Sequence, residues 1–156
     1  MGYLRRHLIA VLSGLIFSFY TLTAWSCPYK LPTIQVTVKG HELTIELATT
    51  SETRSCGLSR RASLPANRGM LFVYADSEIL TFWMKDTRIP LSIAFIDADR
   101  RIVSIQKMNP FPITKIYESP VPALYALEVN QGWFEENDVG VGNVIEFNLP
   151  ITLNIR

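Results

Sequence analysis

Arg68–Asp97 reads RGMLFVYADSEILTFWMKDTRIPLSIAFID, and the fold turns on how this stretch is divided. It holds three apolar runs of strand length, Met70–Tyr74, Leu80–Met84 and Leu91–Ile96, separated by two polar turns. In the second run Leu80, Phe82 and Met84 face one way, while Thr81, Trp83 and Lys85 face the other. In the third, Leu91, Ile93 and Phe95 share a face. Apolar residues on both sides predict strands covered on both faces, as inside a sandwich or under a helix.

Outward from this stretch the pattern stays β. Ile34, Val36 and Val38 alternate with polar residues, as do Leu43, Ile45 and Leu47, around Lys39-Gly40-His41. Such period-two runs about a short turn predict a hairpin. Thr49 and Glu52 have capping-box spacing, which predicts a short helix over 51–60, stopped near Gly57. Residues 60–67 read as a surface loop. Beyond the central stretch, Asp97–Arg100 is a turn signal and 101–107 an alternating strand. Residues 108–122 carry four prolines, which predicts a long connection, too proline-rich for a central strand or a helix, acting as a lid or strap. Ala123–Val129 reads as a strand, 133–138 as one helical turn, and 143–147 and 151–155 as the last strands. Roughly nine short strands predict a single-domain, mainly β antiparallel sandwich or barrel with one or two short helices.

The 156 residues suit one domain, and 48% hydrophobic with 19% charged residues excludes a disordered chain. Arg5 and Arg6, an uncharged run from Leu8 to Thr23, and Ala24-Trp25-Ser26 form a secretory signal, residues 1–26, with the mature domain at 27–156. The competing readings of this segment are an uncleaved anchor and a lipid attached at Cys27. Without Arg5 and Arg6, 13 basic residues stand against 14 acidic ones, a net of −1. That balance gives no footprint for nucleic acid or anionic lipid. Export would place the protein in the periplasm or outside the cell. There Cys27 and Cys56 either form a disulfide or leave Cys56 as a small buried hydrophobe.

Several motifs together resemble the DUF192 family: Gly57-Leu58, Gly69–Val73, Phe82–Lys85, Thr87 with Ile89-Pro90-Leu91, Ile96-Asp97, and Leu127–Val129 with Gly132. The resemblance covers roughly Thr49 to Phe147. It implies a single, mainly β domain and no chemistry, since the family is one of unknown function. The chain departs from the family pattern at Asp86, where Asn is usual, at Ser92, and at Arg100, which occupies a position suited to glycine.

The candidate ligand-binding residues are Trp83, Met84, Lys85, Asp86, Thr87, Arg60 and Glu128. Polar groups in a turn beside apolar strands can orient a ligand, and Glu128 interrupts an apolar strand, where burial demands a partner. The bland alternatives are a solvated hairpin turn at 85–88, plain core at Trp83 and Met84, and a structural ion pair at Glu128. Arg54, Arg60, Arg61 and Arg68 frame the preceding loop and could pair with an anion. A Cys56–His41 dyad lacks an orienting third group, and of the soft residues that could hold Cu(I) (Met70, Met84, Met108, Cys56) two methionines lie in strand patterns and read as core. No phosphate loop, zinc-ligand spacing or cofactor motif is present. The sequence therefore points to a module binding a small molecule or an envelope protein near the 83–88 turn, with residues 108–122 as a cover. The alternatives are a hydrolase-like enzyme using Lys85, Asp86 or Glu128, and a structural envelope protein.

Overall fold

Hairpin strands β1 (Thr33–Val38) and β2 (His41–Ala48) open the domain, joined by Lys39 and Gly40 with φ of 50° and 82°. Two consecutive positive φ values match the twist of a two-residue hairpin. These strands belong to a computed structural model that describes Cys27 and residues 30–156. The predicted signal segment, with its anchor and lipidation readings, lies outside the described residues.

Helix α1 (Ser51–Cys56) follows. Its cap is Thr50, one residue beyond the expected Thr49. The Thr50 hydroxyl accepts from the Thr53 N–H, and the Thr53 hydroxyl accepts from the Thr50 N–H. The box is therefore closed by two threonines, and Glu52 only supplies first-turn charge. Gly57, at φ 48°, stops the helix where the sequence places its stop, so residues 58–60 lie beyond it. Cys56 is disulfide-bonded to Cys27 across a separation of 29 residues, which settles the two readings of that pair.

The chain then enters β3 (Arg68–Glu78), which lies parallel to β2 in the register Glu46↔Met70. This parallel pair departs from the all-antiparallel expectation. Parallel neighbours need a crossover, and α1 with the 57–67 loop supplies one. Arg61 fastens that loop to β2 through a two-pronged ion pair with Glu46 at 2.5 and 2.9 Å.

The remaining elements are β4 (Thr81–Trp83), β5 (Leu91–Ile96), β6 (Ile102–Met108), β7 (Ile116–Glu118), β8 (Ala123–Asn130), α2 (Trp133–Glu136) and β9 (Ile145–Phe147). Seven strands form one sheet in the order β6-β5-β8-β3-β2-β1-β9, while β4 and β7 make a separate ribbon. The large sheet curls into a half-barrel, and a single bridge between Arg101 and Val144 joins its two ends. Its inner face buries Val36, Ile45, Leu71, Leu127 and Phe134. Its outer face buries Met70, Phe72, Ile93 and Phe95 beneath the ribbon and α1. The two-sided apolar runs of the central stretch thus have the two covers they predicted.

Phe82 pins the ribbon to the sheet, edge-on to Phe72 at 4.9 Å and close to Phe95 at 5.8 Å. Such aromatic pairs contribute about 0.5–1.5 kcal/mol each beyond their buried area. Gly69 has a different task. A Cβ there would collide with the Glu128 carbonyl oxygen, so only glycine lets β3 and β8 approach as they do.

Two expectations needed correction. The 108–122 segment contains a strand, β7, whose three residues lie between the paired prolines and bond to β4. Tyr117 is buried there, and its hydroxyl accepts from the Asn109 N–H, so the connection is a packed strap. Residues 151–155 form no strand; they run as coil, and the Arg156 N–H donates to the Thr49 carbonyl. Arg100 does adopt φ 61°, held by its N–H to the Asp97 carbonyl and its guanidinium to the Phe147 carbonyl at 2.8 Å.

Candidate functional site

Glu128 stands in the middle of β8, flanked in register by Met70 of β3 and Ile93 of β5. It therefore projects from the outer face of the large sheet, into the layer covered by α1 and the ribbon. The cover is incomplete. Between the end of α1 and β4 lies a cavity of about 300 Å³ with Glu128, Phe72 and Tyr74 among its lining residues. Ser55, Cys56 and Gly57 line it from the helix side. Thr81, Phe82 and Trp83 line it from β4, with Lys85 and Thr87 from the turn beyond.

Glu128 is only 5% exposed, and its side chain forms no hydrogen bond or ion pair with another described residue. No side-chain oxygen or nitrogen among the described residues is at once sealed off and unpartnered. The Glu128 carboxyl therefore opens onto the cavity. Burial alone pushes its pKa from an ordinary 4.5 up to about 8, so at neutral pH it is mostly the uncharged acid. The ion pair expected for a buried glutamate is absent.

The cations nearby are engaged elsewhere. Arg54 donates to the carbonyls of Thr49, Val73 and Arg156 at 2.8–3.0 Å and lies over the Tyr74 ring at 4.5 Å. It thus ties α1 to β3 and to the chain end. Burial raises the Tyr74 phenol above its usual pKa, against the opposing pull of Arg54. Lys85 sits over the Trp83 ring at 5.2 Å, at the cavity wall.

The seven residues named from sequence separate into three groups. Trp83, Lys85, Thr87 and Glu128 share the cavity. Arg60 and Asp86 line a different depression with Arg61 and Arg88. Their 3.8 Å pair is solvent-exposed, worth at most about 1 kcal/mol. Met84 belongs to the core, at 1% exposure. The turn is partly self-satisfied, as the Thr87 hydroxyl donates to the Lys85 carbonyl and its N–H to the Met84 carbonyl. None of residues 108–122 lines the cavity, so the strap is not its cover. Arg54 and Arg61 are consumed in structural contacts. Cys56 is in a disulfide, and His41 packs edge-on against Trp133 at 6.2 Å, which removes both the dyad and the thiolate copper ligand. Among the described residues no group of three His, Cys, Asp or Glu is placed to hold a metal, and no helix is long and apolar enough to cross a membrane.

Sequence reasoning missed Phe72, Tyr74, Thr81 and the 55–59 segment as lining residues. Only the parallel crossover brings the end of α1 over the β3 and β8 face, and no local pattern announces that.

Neighbours in sequence should respond in opposite ways. Met84→Ala is expected to cost about 3 kcal/mol, because it empties a buried site. Trp83→Ala, with 54% of the residue exposed, should cost about 1 kcal/mol or less. Urea unfolding of the two variants checks this; equal losses would mean that Trp83 is held in the core.

A curled, mainly β sheet covered on its outer face by a ribbon and a short helix defines the fold class. The chain belongs to the DUF192 family, described as an uncharacterised ACR, whose family model matches residues 34–147. A crystal structure from Sinorhizobium meliloti 1021, described as a candidate transcription regulator, is similar at 32% identity and TM-score 0.72. That match covers 77% of this chain and 97% of the other. A protein of unknown function from Novosphingobium aromaticivorans DSM 12444 is similar at 34% identity and TM-score 0.71, covering 74% and 86%. No curated protein matches.

Proposed function

We propose that this protein is an exported binding module whose ligand enters the cavity between α1 and β4 and engages Glu128. One observation carries the reading: a nearly buried carboxyl, opening onto a 300 Å³ cavity, with no partner among the described residues. Burying a polar group without a hydrogen bond costs about 1–3 kcal/mol, and a bound ligand would offset that cost. Aromatic rings from Phe72, Tyr74, Phe82 and Trp83 supply apolar contact around it. The Cys27–Cys56 disulfide supports export, since such bonds persist in oxidising compartments. The hydrolase-like reading is weaker, because Asp86 lines a different depression and no second acid or free thiol joins Glu128. A net charge of −1 over residues 27–156 does not favour DNA as the partner, although the Sinorhizobium relative is described as a candidate transcription regulator.

A thermal-shift screen of amines, peptides, sugars and nucleotides tests the reading, with Glu128→Gln alongside. A ligand at 100 times its Kd should stabilise the parent by about 2.7 kcal/mol and the variant far less. If no compound class shifts the melting of the parent, or if every shift survives in Glu128→Gln, the reading fails.

A further inference from the structure

Among the described residues β4 has one strand neighbour, β7, and Thr81, Phe82 and Trp83 all line the cavity. Which backbone groups lie open there follows from the pairing. Leu80 and Ser119 face one another: the Ser119 N–H donates to the Leu80 carbonyl, and the Leu80 N–H donates to the Ser119 hydroxyl, both at 2.9 Å. Antiparallel partners alternate between bonded and non-bonded pairs. Phe82 therefore bonds toward β7 opposite Tyr117, while the N–H and C=O groups of Thr81 and Trp83 turn away from the ribbon. None of these four groups has a backbone partner among the described residues. Side chains follow the same alternation. Phe82 points inward over the sheet, and Thr81 and Trp83 point outward.

We propose that the ligand is an extended peptide segment that pairs with the Thr81–Trp83 edge of β4 and places one cationic side chain beside Glu128. The inference rests on the binding reading of the cavity and names the class of ligand it takes. A strand added beside β4 would set its central residue opposite Phe82, and so direct that side chain inward to the cavity. Its flanking residues would bond to Thr81 and Trp83 and lie outward beside the exposed indole. Charge selects the central side chain. Of the groups that share the cavity with Glu128, Arg54 of α1 is committed to three carbonyls, Lys85 of the turn lies over Trp83, and Tyr74 of β3 is an uncharged phenol. Glu128 is raised by desolvation with no opposing cation among the described residues, so a ligand ammonium supplies the missing counter-charge. Binding then couples to loss of the Glu128 proton to solvent, while a lysine ammonium, with pKa about 10.4, stays charged throughout.

The test is calorimetric titration of the purified protein with the acetylated, amidated peptide Thr-Val-Lys-Val-Thr. Two analogues accompany it, one with norleucine in place of lysine and one with both valine nitrogens methylated. Each analogue should bind at least tenfold more weakly than the parent peptide. The association constant for the lysine peptide should rise about tenfold per pH unit from pH 6 to 8 and level off above, and should be flat in Glu128→Gln. Equal binding of the norleucine analogue overturns the cationic side chain, and equal binding of the methylated analogue overturns strand pairing. Both arms use the unaltered protein, so neither depends on the folding of a variant. If no peptide binds while the compound screen yields a ligand sensitive to Glu128→Gln, the peptide inference falls and the binding reading stands.

Discussion

Raising the pH from about 4.5 to 9 should destabilise the unliganded protein by on the order of 4 kcal/mol through Glu128 alone, and Glu128→Gln should abolish that slope. The sign follows from proton counting. In the native state the carboxyl has a pKa of about 8, while in the unfolded chain it returns to about 4.5. Between these values the native state holds a proton that the unfolded state has released. Stability contributed by Glu128 is thus fully present below pH 4.5 and is lost as pH rises through 8. Every tenfold difference in proton affinity between the two states is worth about 1.4 kcal/mol, which sets the size. Glu128→Leu should go further and leave the protein more stable than the parent at pH 9, because an apolar side chain removes the buried charge altogether. Urea midpoints at pH 5, 7 and 9 for the three proteins decide the matter. A parent whose stability rises over this range through a Glu128-dependent effect would show that the carboxyl has a counter-charge within the fold.

Breaking the Cys27–Cys56 bond is expected to cost about 3.5 kcal/mol, from the entropy of a 29-residue loop in the unfolded chain. For a domain of this size the loss corresponds to roughly 10 °C or more in Tm. The effect should also be local. The bond pins the last residue of α1, whose Cys56 and the following Gly57 line the cavity. Releasing it loosens one wall while the β3 and β8 floor stays in place. Melting with and without a reductant, repeated on a Cys27→Ala/Cys56→Ala double variant, measures the global effect. Titration of the ligand under the same conditions measures the local one. An unchanged Tm after verified reduction would mean that the loop is already constrained in the unfolded state.

Much of this architecture was legible in the residues, and the reason is period. The 91–96 run has apolar residues on both faces, broken only by Ser92, which points to a strand buried on both sides, and β5 occupies those positions. Alternation likewise marked the hairpin, and the Asp97–Arg100 turn was legible from its polar cluster. The short elements escaped. Thr50 and Thr53 cap α1 although Thr49 and Glu52 have the more familiar spacing, because two hydroxyls can satisfy the same pair of N–H groups. β7 hides between prolines, since a three-residue strand needs no proline-free run longer than itself. The site was half legible. Glu128 stood out as an acid in an apolar strand, and Trp83, Lys85 and Thr87 as a polar turn beside it. Met84 shares their neighbourhood in sequence and points the other way. Tyr74 and the α1 residues join only through the β2–β3 crossover, a long-range event that leaves no periodic trace.

The order of strands in the sheet also bears on how the chain assembles. β1, the first strand made, has β2 on one side and β9 on the other, so one of its edges stays unpaired until residues 145–147 have been synthesised. The Arg101–Val144 bridge that joins the two ends of the sheet waits for the same residues. A partly made chain therefore displays an open β edge, the kind of surface that recruits other chains into aggregates. Pairing of the last strand covers the β1 edge and lets the two ends of the large sheet meet.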